Sequence, residues 1–98
     1  MHGDFKTPGG KLVRVDFAVA DGRLRDVMVS GDFFLYPEEA LLPITATLEG
    51  APADLTQAAF AGRIAAAIAD GTQWLGSSPE ALGAAIVRAL EDGGAAGE

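Results

Sequence analysis

The 98-residue sequence contains no cysteine, which removes disulfides, thiolate nucleophiles, zinc knuckles and iron–sulfur ligation from the chemistry open to it. Histidine is almost as scarce: the single His2 stands beside Met1, at an end expected to fray. A nucleophilic triad needs a base next to Ser, Thr or Cys, so hydrolase chemistry of that kind is excluded. Cations are few as well, seven Lys and Arg against fourteen Asp and Glu, for a net charge of −7. Binding to nucleic acid or to anionic membranes relies on Lys and Arg to displace counterions, and this balance points away from both. Long apolar runs are missing. The most apolar window, 58–69, is broken by Gly62 and Arg63 and falls short of the ~20 residues that a bilayer-spanning helix needs. The start, Met1-His2-Gly3-Asp4, has no basic stretch followed by an apolar one, so no signal peptide is expected and the chain is expected in the cytoplasm.

What is present is a hydrophobic content of 49%, much of it Ala, enough to exclude disorder over most of the chain and to promise one core of modest volume. The expected organisation is a single domain over residues 1–92 followed by a flexible tail, 93–98, of Gly, Ala and Glu. Charge is uneven along it. Residues 1–25 hold five cations (Lys6, Lys11, Arg14, Arg23, Arg25) against Asp4, Asp16 and Asp21, a local +2, which leaves two cations against eleven acids, or −9, for the rest. Two readings follow: a basic binding edge on an acidic body, or strand faces that carry Arg and Asp for solubility.

From Leu12 to Val19 apolar and polar residues alternate, with Val13, Val15, Phe17 and Val19 on one side, the period of a half-buried strand. Asp21-Gly22 then signals a tight hairpin leading into a second strand, Arg23 to Ser30. A plain two-residue loop would set Asp26 opposite Phe17. One extra residue near Arg25-Asp26 restores Phe17 against Val27 and Val15 against Val29, so a β-bulge is expected there. Phe33-Phe34-Leu35-Tyr36 reads as a short third strand. Pro37-Glu38-Glu39 starts a helix that Pro43 should kink or split before Gly50. Asp54, with Gln57 three residues on, is expected to cap a second helix whose buried stripe is Phe60, Ile64 and Ile68. Gly71 to Ser77 reads as a loop. Ser78 and Pro79 open a last helix in which Leu82, Ala85, Ile86, Ala89 and Leu90 share one face. Strands followed by helices indicate an α+β fold, an antiparallel three-stranded sheet with helices packed on one face.

Catalytic constellations are hard to find in this pattern. The pairs Glu38-Glu39 and Glu91-Asp92 sit next to one another on helices, point some ~100° apart and read as solvated helix ends. Thr7-Pro8-Gly9-Gly10-Lys11 has the glycines and lysine of a phosphate-binding loop, but Leu12 replaces the hydroxyl residue and a strand follows where a helix is required. It reads as a loop entering a strand, or as a site for one anionic group. A carrier domain would display a Lys at its hairpin tip, and Asp21-Gly22 has none. Adjacent Phe33 and Phe34 in a strand must face opposite sides. The parity of Val27, Val29 and Gly31 turns Phe33 inward unless a further bulge at Gly31 reverses the assignment, so either one Phe is an interface residue or the chain's own helices cover both.

These segments carry a family resemblance. Lys6-Thr7-Pro8-Gly9-Gly10-Lys11, the Asp-Gly hairpin, and Gly31-Asp32-Phe33-Phe34-Leu35-Tyr36-Pro37-Glu38 together resemble the C-terminal accessory domain of lipoate–protein ligases, over about residues 3–92. In that family a Lys-x-Pro-Gly-Gly-Lys start and a Gly-Asp-Phe-Phe-x-x-Pro-Glu centre recur before a helical second half. The resemblance implies a sheet covered by helices, similar to sulfur-transfer and iron–sulfur scaffold proteins, without the cysteines of those proteins. It implies a non-catalytic subunit that must join a catalytic chain before lipoate is activated to lipoyl-AMP, inactive alone and with no cofactor of its own. ATP, Mg²⁺ and lipoate would belong to the catalytic partner, and lipoyl acceptor domains would be met only through it. Lys6, Pro8, Gly9, Gly10, Lys11, Gly31, Asp32, Phe33 and Phe34 are the residues it places at the partner interface. Met1 just ahead of the first motif favours a separate subunit over a fused domain, and Pro43 departs from the uninterrupted helix usual in the family. The competing expectations are an independent scaffold-type module docking on an acyl-transfer or sulfur-assembly protein, and a free-standing enzyme using Lys or Asp.

Overall fold

The computed structural model describes residues 2–6, 11–68 and 71–96, with side chains to Glu91. Three strands, β1 (His2–Lys6), β2 (Leu12–Ala20) and β3 (Arg23–Gly31), form an antiparallel sheet in the order β1-β2-β3. A second, two-stranded ribbon pairs β4 (Phe34–Tyr36) with β5 (Gln73–Leu75). Between them come a 3₁₀ turn at Glu38–Ala40 and the helices α1 (Leu41–Leu48) and α2 (Gln57–Ala67); α3 (Pro79–Ala96) ends the chain. The fold is α+β with an antiparallel three-stranded sheet, as the patterning implies.

The β2–β3 hairpin turns on Asp21 and Gly22, both at positive φ (55° and 73°), the geometry that matches the twist of the flanking strands. Ala20 faces Arg23 and Val19 faces Leu24 near the turn; farther down, Asp16 faces Met28 and Val15 faces Val29, so the register has slipped by one residue between Ala18 and Asp16. The bulge is therefore where the parity conflict put it, with Asp26 at φ 55°. It leaves two adjacent amides turned out of the sheet, and the Glu49 carboxylate takes both: the N–H groups of Asp26 and Val27 donate to its two oxygens at 3.0 Å each. These bonds, Val27 first, hold the Glu49 carboxyl below its ordinary pKa. The payoff is one continuous apolar face, since Val13, Val15, Phe17, Leu24 and Val27 are all buried.

That face meets Ile44 and Leu48 of α1, Phe60 and Ile64 of α2, and Leu82, Ala85, Ile86 and Ala89 of α3. Burying each Val, Leu, Ile or Phe contributes about 1.5–3 kcal/mol, which lets an Ala-rich sequence hold a single core. The helices cover one side of the sheet and leave the other open.

Three local expectations are corrected. His2 does not fray: residues 2–6 form the edge strand β1, where Gly3 lies against α3 so closely that a Cβ would run into the Ala85 carbonyl oxygen. Phe33–Tyr36 is not a third strand of the main sheet. The strand starts at Phe34 and pairs with 73–75, in the stretch read as a loop. Residues 37–50 do split, into the 3₁₀ turn and α1, but the split falls before Leu41, which puts Pro43 in the first turn of α1, where its missing N–H has no intrahelical partner to lose. The cap of α2 is Thr56, whose Oγ1 accepts from the Ala59 N–H at 3.1 Å, because Asp54 lies a half-turn too early. Helical backbone runs on to Ala96. The Ser78 cap stands: its Oγ accepts from Ala81 N–H at 3.1 Å.

Candidate partner interface

The described residues of both motifs lie at one end of the three-stranded sheet. Gly31 closes β3 opposite Val13 at φ 144°, a conformation that side chains rarely adopt, and a Cβ there would run into the Leu12 carbonyl oxygen. That close approach lets the Asp32 N–H donate to the same carbonyl at 3.0 Å. Lys6, the last residue of β1, sits opposite Leu12 on the other side. Lys6, Leu12 and Asp32 therefore form the terminal row of the sheet, and Lys6 is a strand residue where the family resemblance implies a loop facing the partner. Lys11 donates its backbone N–H to the Gly76 carbonyl at 3.1 Å, and a Cβ on Gly76 would collide with the Lys11 side chain. Lys11 thus runs alongside the end of β5. Pro8, Gly9 and Gly10 lie outside the described residues.

Phe33 and Phe34 separate as the parity implies, though by a different device. Phe33 falls in the break between β3 and β4, is half-buried, and stacks on Trp74 with ring centroids 6.0 Å apart and planes 17° from parallel. In the ribbon Phe34 faces Leu75, Leu35 faces Trp74 and Tyr36 faces Gln73. Leu35 and Trp74 therefore turn inward, while Phe34 (64% exposed), Tyr36 (54%) and Leu75 (48%) turn to solvent, with Leu42 of α1 (71%) also bare. Beside them runs a groove of about 270 Å³ lined by Val29, Gly31, Phe33, Phe34, Glu38 and Leu41. Glu38 in its lining is exposed, as are its neighbour Glu39 and Asp32 beside Gly31.

The N-terminal cations divide into two groups. On the open face of the sheet Arg14 Nε donates to Asp4 at 3.0 Å, and His2 bridges Asp16 (2.7 Å) and Asp4 (3.1 Å). Arg14 lowers the Asp4 pKa, while the hydrogen bond to Asp16 raises that of His2. Arg23 is held by the Gly50 carbonyl at 2.9 Å. Those groups belong to the solvated strand face. Among the described residues the Lys6 and Lys11 ammonium groups have no ion-pair partner. No three His, Asp or Glu side chains among those residues are grouped to hold a metal, and Glu38 and Glu39 stand exposed on the 3₁₀ turn.

Trp74, Leu75, Gly76 and Glu49 were missed as contributors. Gln73-Trp74-Leu75 does alternate between Gly71 and Gly76, a faint strand signal in so short a run. The placement of Glu49 on a bulge 22 residues away leaves no local trace.

No protein-family model matches the sequence, and no curated protein matches it. Among solved structures, the fold is similar to a chain of an archaeal lipoylation system from Thermoplasma acidophilum, described as a bi-partite lipoate protein ligase and its E2 lipoyl domain. The match has a TM-score of 0.69 at 23% identity and covers 88% of this chain and 92% of that one. At this identity the likeness shows a shared fold, and the neighbour comes from the kind of system that the two motifs resemble. Among the described residues no helix is long and apolar enough to cross a membrane.

Proposed function

We propose that this chain is the non-catalytic accessory subunit of a two-chain lipoate–protein ligase, joining a catalytic chain that activates lipoate with ATP. The observation that carries the reading is the near whole-chain likeness to a chain of a bi-partite lipoate protein ligase system. The convergence of Lys6, Lys11 and Gly31–Phe34 on one end of the sheet supports it. In this reading that end, with Pro8, Gly9 and Gly10 between the lysines, faces the catalytic chain. Asp32 and the two free ammonium groups supply polar contacts there, and Phe34 supplies apolar area. Lipoate, ATP and Mg²⁺ bind in the partner, lipoyl acceptor domains are reached through it, and the complex works in the cytoplasm. The accessory chain acts by completing or positioning the adenylation site.

The test is lipoylation of an acceptor domain, followed by mass, with lipoate, ATP, Mg²⁺ and the cognate catalytic chain, with and without this protein. Modified acceptor is expected only when both chains are present. Equal modification without this chain would contradict the proposal.

A further inference from the structure

The outer edge of β3 is covered along only half its length. Near the hairpin the Leu24 N–H donates to the Ala51 carbonyl (2.9 Å), the Gly50 N–H donates to the Leu24 carbonyl (2.7 Å), and Glu49 takes the Asp26 and Val27 amides. Cover ends at Val27. Beyond it the alternation is set from both ends. The bond from Asp32 N–H to Leu12 makes that pair a hydrogen-bonded one, so Ser30 and Met28 turn their backbone groups to Arg14 and Asp16 of β2. The Val29 N–H and C=O and the Gly31 N–H consequently point away from the sheet, and nothing among the described residues bonds them. They form one wall of the groove whose other side is Phe33, Phe34, Glu38 and Leu41.

An open strand edge is a template for another strand. The charge around it selects the occupant. Glu38 lines the groove, and Asp32 and Glu39 adjoin lining residues in sequence; all three are exposed and none is ion-paired among the described residues, on a chain of net charge −7. A second copy would bring the same acids face to face.

We infer that the Val29–Gly31 edge receives an extended segment of the catalytic partner, which adds as a fourth strand and carries a Lys or Arg against Glu38. Its alternate apolar side chains lie on Phe34 and Leu41. This inference rests on the accessory-subunit reading and specifies how the two chains join. Backbone bonds supply a sequence-tolerant grip, while Glu38 and the apolar wall supply selectivity.

Residue-resolved amide hydrogen exchange on the free chain and on the complex tests it. In the free chain the Val29 and Gly31 amides exchange rapidly although they lie in a strand, while the Met28 and Ser30 amides are protected. On complex formation Val29 and Gly31 are expected to slow by at least about tenfold. A complex that forms with both amides still fast overturns the strand addition and leaves the accessory role standing; absence of any complex overturns both. Protection of the two amides that rises with concentration of the isolated chain assigns the edge to a second copy and overturns the inference. As a second readout, E38K at this exposed site is expected to keep the melting temperature and weaken partner binding about tenfold, more at low salt than at high. Unchanged affinity would contradict the charge pairing.

Discussion

Phe33 and Phe34 are identical neighbours in different surroundings, and their substitution separates packing from association. Phe33→Ala removes the stack on Trp74 and part of a half-buried ring, which should cost about 2 kcal/mol of stability. Phe34→Ala should leave the melting temperature nearly unchanged, as exposed sites do within about 0.5 kcal/mol, and should weaken complex formation by more than about 1 kcal/mol as a contact residue. Thermal melts and partner titrations of both variants check this; equal unfolding by both, with no further loss of binding, would contradict the interface role. Glu49 makes the second prediction at this scale. Its carboxyl is held below the usual range by the Val27 and Asp26 amides, so its contribution is present above the ordinary Glu pKa and is lost as pH falls through the lowered folded value. The melting temperature should fall on acidification through that window, and E49Q should melt lower at neutral pH with a flatter acid limb. Parallel acid limbs for the two proteins would remove Glu49 from the bulge's support. Phe34 was legible because the sequence parity turns it outward, although Phe33 itself lies in the break before β4. Glu49 was not, because its partners are fixed only once the bulge and the end of α1 meet.

Elements were legible in proportion to how many residues repeat their signal. The hairpin announces itself through eight alternating positions, a turn dipeptide and a parity conflict that only a bulge resolves, and Val15 does face Val29. The last helix shows a sustained stripe and a Ser-Pro start. By contrast β4 and β5 have three residues each, too few for a period, and their pairing joins positions about forty apart in sequence. β1 is an edge strand whose Gly3 is chosen by contact with α3, a tertiary cause without local pattern. The cap of α2 shows how two adequate local signals are resolved by position, with Asp54 and Thr56 both suitable. Thr56→Ala should cost about 1 kcal/mol through the lost bond to Ala59, whereas Asp54→Ala should change stability little. Denaturant midpoints of the two variants decide it, and a larger loss at Asp54 would reverse the assignment.

At the scale of the whole molecule, composition excluded more than it assigned. Lacking Cys and holding one His, the chain offers few groups for covalent chemistry. Two ordered motifs carried the resemblance that the fold match then met. The site was legible as two segments and not as a surface. What joins them is Gly31 against Leu12, Lys11 against Gly76 and Phe33 against Trp74, contacts that exist only in three dimensions. A protein that completes another chain's adenylation site should have no adenylation activity of its own and should restore it stoichiometrically. The measurement that tests this most directly is pyrophosphate release from lipoate, ATP and Mg²⁺ as the protein is titrated into a fixed amount of the catalytic chain, without an acceptor domain. Release should be absent with this protein alone and should rise to a plateau at one equivalent; release from the isolated protein, or a rate indifferent to its addition, would contradict the account.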